Sequence, residues 1–211
     1  MPLKPTLTLL MFAFVLSSCK NSSSNAKTLF CDTVCMKDTL KFIDNTNRLK
    51  PYVLISAKNC TGDTLTWGFV GQNKNIPFNY KLNKDFTRCY FKDTAFALLV
   101  FNTCETGRGY FIKFSFGKKA SFRKSTSAIN NFDPKFSVAD SLLAYTDKGN
   151  IFIEDVGSGK KALMTFGKQL DIDFDAIHET LDSVNITPNR IWAKVKVDDE
   201  WKTLEKNITL Q

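Results

Sequence analysis

Four short apolar runs, each followed by a turn and a second run, recur along this chain at nearly constant spacing. They are YVLISA from Tyr52, FALLVF from Phe96, LLAYT from Leu142 and IWAKVKV from Ile191. Aligned at Val53, Ala97, Leu142 and Ile191, they stand 44, 45 and 49 residues apart. The second runs are TLTWGF after Gly62-Asp63, YFIKFSF after Gly107-Arg108-Gly109, NIFIEDV after Lys148-Gly149, and EWKTLE after Asp198-Asp199. Apolar, aromatic and β-branched stretches of this length, bounded by Gly, Asn and Asp, read as strands joined in hairpins. Nineteen Phe and 43% hydrophobic residues supply a core large enough to fold.

A hairpin period of forty-odd residues is the signature of propeller blades. The tetrapeptide Gly117-Lys118-Lys119-Ala120 recurs as Gly159-Lys160-Lys161-Ala162, 42 residues later. Residues 128–165 are similar to a WD-type or TolB-type propeller repeat. They carry FSVAD before a strand, a TDKGNIFIED hairpin and a GSGKK turn. That resemblance implies an all-β, propeller-like meander of four blade-like units, starting near residues 48, 92, 137 and 187. The terminal Trp-Asp pair is missing, and a β-sandwich stands as the alternative. One segment departs from the strand pattern. In QLDIDFDAIHETLDSVN, Phe174, Ile177, Leu181 and Val184 recur at helical spacing, which predicts one short amphipathic helix near 174–184.

Ahead of these units lies a segment of a different kind. Lys4 precedes an apolar stretch from Leu7 to Leu16, and Ser17 and Ser18 precede Cys19. A basic tip, a short apolar core and a small-residue cleavage region compose a secretory signal over residues 1–18. About ten apolar residues are too few for a bilayer core that needs roughly twenty. Leu16-Ser17-Ser18-Cys19 resembles the lipobox of bacterial lipoproteins. The resemblance implies lipidation at Cys19 after cleavage before it. Residues 19–28 are polar and Ser/Asn-rich, as a flexible tether requires, and residues 29–211 form a single β-rich domain. Lys20 occupies the position where an aspartate marks inner-membrane retention, and no acid occurs before Asp32. By lipoprotein sorting rules this implies a lipid-anchored outer-membrane protein facing the periplasm. The whole chain resembles uncharacterised lipoproteins of Bacteroidota, from which no activity can be carried over.

Export sets expectations for the cysteines and the charge. Cys31, Cys35, Cys60, Cys89 and Cys104 are candidates for disulfides in an oxidising compartment. Their number is odd, so at least one thiol stays free or pairs with another chain. The net charge of +8 becomes +7 once Lys4 is removed, and it suits anionic glycans or lipids over nucleic acid. From Gly107 to Phe132 the chain holds Arg108, Lys113, Lys118, Lys119, Arg123 and Lys124 with no acid. This stretch is either a solvated hairpin or a contact for an anionic ligand or membrane surface.

No catalytic constellation emerges. His178 is the single histidine, and beside Glu179 on the expected helix it reads as a surface residue. Asp171, Asp173, Asp175 and Asp182 have carboxylates at calcium-loop positions. Ala176 stands where the sharp turn needs Gly, however, and helix capping accounts for the same acids. A CxxCH haem site is absent, Gly157-Ser158-Gly159-Lys160 lacks the first Gly of a phosphate loop, and nothing points to a cofactor. Asp-Ser/Thr-aliphatic-or-Ala occurs six times, with hydroxyls at Thr33, Thr39, Thr64, Thr94, Ser141 and Ser183. Turn-to-strand chemistry explains the tripeptide. It also resembles the O-glycosylation site of exported Bacteroidota proteins. The expected function is non-catalytic, a binding or scaffold module for an envelope protein or an anionic envelope component. A glycan-acting enzyme and a structural subunit of an outer-membrane assembly are the alternatives.

Overall fold

FALLVF is apolar without alternation, whereas IWAKVKV alternates, and the computed structural model gives the reason. It describes residues 36–211 except 93, 118–121, 126, 168 and 174–176. The chain is all-β. The first sheet is a meander of β1 (Leu40–Ile43), β2 (Tyr52–Lys58), β3 (Thr61–Phe69) and β4 (Gln72–Pro77). The second is a meander of β5 (Leu82–Lys92), β6 (Phe96–Thr103), β7 (Gly109–Ser115) and β8 (Phe122–Ser125). Next come β9 (Ala128–Ile129), β10 (Phe136–Val138), β11 (Leu142–Asp147), β12 (Asn150–Asp155) and β13 (Lys161–Met164). A 3-10 turn (Ile177–Glu179) precedes β14 (Leu181–Thr187), β15 (Arg190–Val197) and β16 (Glu200–Asn207). The third sheet runs β9-β11-β12-β13. β10 leaves its sequence neighbours and pairs in parallel with β14, which makes the fourth sheet β10-β14-β15-β16.

Three apolar clusters join these sheets face to face. Val53, Ile55, Leu65 and Trp67 of the first sheet pack on Leu99, Phe101, Ile112 and Phe114 of the second. From the opposite face of the second sheet, Leu98, Val100 and Phe111 meet Ala128, Leu143 and Tyr145. Ala144, Ile151 and Ile153 of the third sheet then meet Val184, Ile191, Ala193 and Val195 of the fourth. β6 is therefore buried on both faces, and a strand with two dry faces reads as an unbroken apolar run. β15 buries only Ile191, Ala193 and Val195, and its other face meets solvent, so it alternates.

Two of the predicted hairpin turns keep their chemistry, but the first hairpin turns at Asn59-Cys60, both at positive φ, while Gly62 and Asp63 lie within β3. Lys148-Gly149 and Asp198-Asp199 all have positive φ, as primed two-residue turns require. At Gly149 the backbone also passes close to Leu170, whose carbonyl oxygen would lie 2.2 Å from a Cβ. Beyond β16 the chain crosses to the third sheet, where Gln211 exchanges two backbone hydrogen bonds with Lys161 of the edge strand β13. Among the described residues no helix is long and apolar enough to cross a membrane.

The helix expected near 174–184 is not formed. Residues 174–176 lie outside the described residues, 177–179 make the 3-10 turn, and Leu181 opens β14. A β-bulge produced the helical spacing. The register slips between Leu181 and Ser183, so Leu181 and Val184, three residues apart, both reach the core. The fourth unit is also out of step with the predicted repeat. Val53, Ala97 and Leu142 lie in second strands of their sheets, but Ile191 lies in a third strand; β14 is the true counterpart.

The cysteines divide. Cys60 and Cys104 each take part in a disulfide. Cys89 on β5 is a free thiol, contrary to its place among the disulfide candidates. It packs against the first apolar cluster, and burial pushes the thiol up, which favours the protonated form. Cys19, Cys31 and Cys35 lie outside the described residues.

Candidate functional site

Glu154 is the buried acid of β12. Ile151 and Ile153 of β12 face the fourth sheet, so Glu154 faces the second, where its side chain is 7% exposed. A carboxylate taken out of water needs cations close by. Three converge on it. Lys113 Nζ lies 3.4 Å from Oε1, Arg123 Nη1 3.8 Å from Oε2, and Lys161 Nζ 3.7 Å from Oε2. Lys113 and Arg123 are cross-strand partners on β7 and β8, and Lys161 pairs with Glu154 itself in the β12–β13 register. The seam between the second and third sheets thus holds three cations around one carboxylate. Only Lys113 is within hydrogen-bonding distance of that carboxylate. Lys113 also stands 4.2 Å from the Phe96 ring centre and Arg123 5.9 Å from that of Tyr145, so aromatic faces position both cations.

The basic stretch is divided by strand alternation. Lys124 follows Arg123 and faces the first sheet, where its ammonium donates to the Tyr80 hydroxyl and lies over the Tyr80 and Tyr110 rings. Arg108 lies 5.5 Å from the centre of Tyr110. Lys118 and Lys119 lie outside the described residues. Lys113 and Arg123 therefore share a site, and Arg108 and Lys124 gather around Tyr110 on the other side of the sheet. Sequence reading missed Glu154 and Lys161. The one available signal was an acid following three apolar residues in NIFIEDV.

His178 is not the free surface residue expected. It lies on the 3-10 turn and stacks on Phe136 with ring centres 4.9 Å apart, while Nε2 meets Asp133 Oδ2 at 2.5 Å. Its Nδ1 is buried with no hydrogen-bond partner among the described residues, so no hydroxyl or thiol completes a triad there. Burial opposes the Asp133 charge, but hydrogen bonds from His178 and the Lys135 N–H outweigh it and hold the carboxyl below its ordinary 3.8. A depressed carboxyl contributes stability above its unfolded pKa and loses it as pH falls through the folded value. Asp133→Asn is accordingly expected to flatten the acid side of the melting-temperature profile, checked by thermal melts from about pH 7 down to about pH 3.

The acidic group is dispersed. Asp171 and Asp173 are exposed, Asp175 lies outside the described residues, and Asp182 sits 3.3 Å from both Lys135 and Lys194. Among the described residues no three His, Cys, Asp or Glu side chains could hold a metal ion. The stretch 157–160 is a turn capped by Asp155, which accepts from the Ser158 N–H at 2.6 Å and hydroxyl at 2.7 Å. Of the six candidate hydroxyls, Thr64 and Ser183 donate to the preceding aspartate. Thr39 and Thr94 are half-buried, Ser141 is exposed before β11, and Thr33 lies outside the described residues. A crevice between the second and third sheets, lined by Arg88, Tyr90, Phe132 and Asp140 among others, offers about 50 Å³, room for a few waters. No family model matches the chain, and neither a curated protein nor a solved structure does.

Proposed function

We propose that this chain is a lipid-anchored envelope protein, held at the outer membrane through Cys19, and that it binds an anionic envelope component without catalysing a reaction. Its four sheets are an open run of propeller-like blades, and the seam between the second and third is the contact. The observation that carries the reading is the surplus of charge there: Lys113, Arg123 and Lys161 surround the single carboxylate of Glu154. Half of the side-chain surface of Arg123 and of Lys161 remains exposed, at 52% and 51%. Such cations both satisfy the buried acid and attract a phosphate or carboxylate from outside.

The test replaces Lys113, Arg123 and Lys161 by Gln together with Glu154→Gln, so that no unpaired carboxylate remains buried. Each lysine or arginine near an anionic surface contributes about 1 kcal/mol, so three lost cations should weaken binding to phosphatidylglycerol vesicles roughly a hundredfold. Vesicle co-sedimentation reads the effect. Binding equal to that of the parent chain would remove the seam from the account.

A further inference from the structure

The outward face of the fourth sheet combines tryptophans with cationic and polar side chains. Ile191, Ala193 and Val195 point into the core, so Arg190, Trp192, Lys194 and Lys196 point out. The β15–β16 register sets Trp201 opposite Lys196, Thr203 opposite Lys194 and Glu205 opposite Trp192. On the other side of β15, Ser183 and Asn185 of β14 stand opposite Lys194 and Trp192. Two indoles, hydroxyls, an amide and cations occupy these positions, without an aliphatic side chain among them. Trp201 is 45% exposed.

We propose that this face binds an acidic polysaccharide. The indole is large, flat and apolar, and the ring hydrogens of a sugar pack against it while hydroxyls and amides meet the sugar hydroxyls. Trp192 and Trp201 are four residues out of step along adjacent strands, which separates them by about 13 Å along the sheet, the span of a short oligosaccharide. Between them Lys194 holds its ammonium 5.8 Å from the centre of the Trp201 ring. A stacked sugar and a charge-paired carboxylate therefore fit within one residue of the polymer. Displaceable charge pairs set the acidic class: Arg190, Lys194 and Lys196 project from the face, each beside one acid. Glu205 lies 3.7 Å from Arg190. Asp182 at the bulge approaches Lys194, and Asp199 in the turn approaches Lys196, each at 3.3 Å. Both acids stand at the margin, where a competing polyanion can displace them. The side chain of Asp199 is 97% exposed.

The proposal rests on the exported location only for the source of the glycan; the face itself is separate from the Glu154 seam. Affinity electrophoresis of the full mature chain through gels containing polygalacturonate tests it, with neutral dextran in parallel. The parent chain should be retarded by polygalacturonate and not by dextran. Trp192→Ala with Trp201→Ala should raise the dissociation constant about tenfold to a hundredfold. Lys194→Gln with Lys196→Gln should weaken retardation in the same direction and provides the second test if the tryptophan variant melts early. Trp192→Ala with Trp201→Ala should keep the parent's binding to phosphatidylglycerol vesicles, which separates failure at this face from failure at the seam. Equal migration of parent and both variants, or equal retardation by dextran, would overturn the proposal.

Discussion

On the proposed anchorage, a Cys19→Ala chain is expected to lose both its lipid and its cleavage before residue 19. Residues 7–16 are too few to span a bilayer, so the proposed attachment runs through lipid at Cys19. Each buried methylene of an acyl chain contributes about 0.8 kcal/mol, and two or more chains together convert marginal, reversible binding into stable anchorage. Without the sulfur there is no diacylglycerol, and without diacylglycerol the lipoprotein peptidase has no substrate. The variant should accumulate as the uncleaved, unlipidated precursor. Palmitate labelling and electrophoretic mobility read the outcome. Palmitate labelling of Cys19→Ala at the parent level, or its maturation to the parent's size, would contradict lipid attachment at Cys19.

Phe111→Ala is expected to be the most damaging single truncation in the domain. Phe111 is 2% exposed on β7, on the face of the second sheet that meets the third. Its ring centre lies 5.4 Å from that of Tyr145, and Leu98, Val100 and Leu143 belong to the same cluster. This cluster is smaller than the two that flank it, so one ring is a large fraction of what joins the two halves of the stack. A Phe→Ala change in such a site costs about 3–5 kcal/mol from lost transfer and residual cavity. Domains are stable by only about 5–15 kcal/mol, so the denaturant midpoint should fall by a third or more. Val70→Ala, at a position 84% exposed in the β3–β4 turn, should leave the midpoint in place. Equal midpoints for Phe111→Ala and Val70→Ala would contradict the packing order of the sheets.

Much of this architecture could be read from the chain, and the failures share a cause. FALLVF and IWAKVKV announced which strands have two dry faces and which have one, because burial acts directly on alternation. Hairpin turns such as Lys148-Gly149 were legible because positive φ demands particular residues. The bulge at Leu181–Ser183 was not, since one extra residue converts strand spacing into helical spacing. β10, only three residues long, finds its partner 48 residues later, which no local pattern records. The seam was half visible. Lys113 and Arg123 stood in the basic stretch, but Glu154 and Lys161 come from another sheet and meet them only after folding. Likewise the Asp133–His178 pair joins a loop to a turn 45 residues away.

The account stands first on the anchor, because the address decides which partners the seam and the tryptophan face can meet. The measurement that tests it most directly is the intact mass of the protein extracted from its native membrane. A mature chain beginning at Cys19 and carrying diacylglycerol and an amide-linked acyl chain is the expected result, with any further mass in sugar increments assigned to hydroxyls such as Ser141. A chain that begins elsewhere, or one whose mass equals the bare polypeptide, would contradict it.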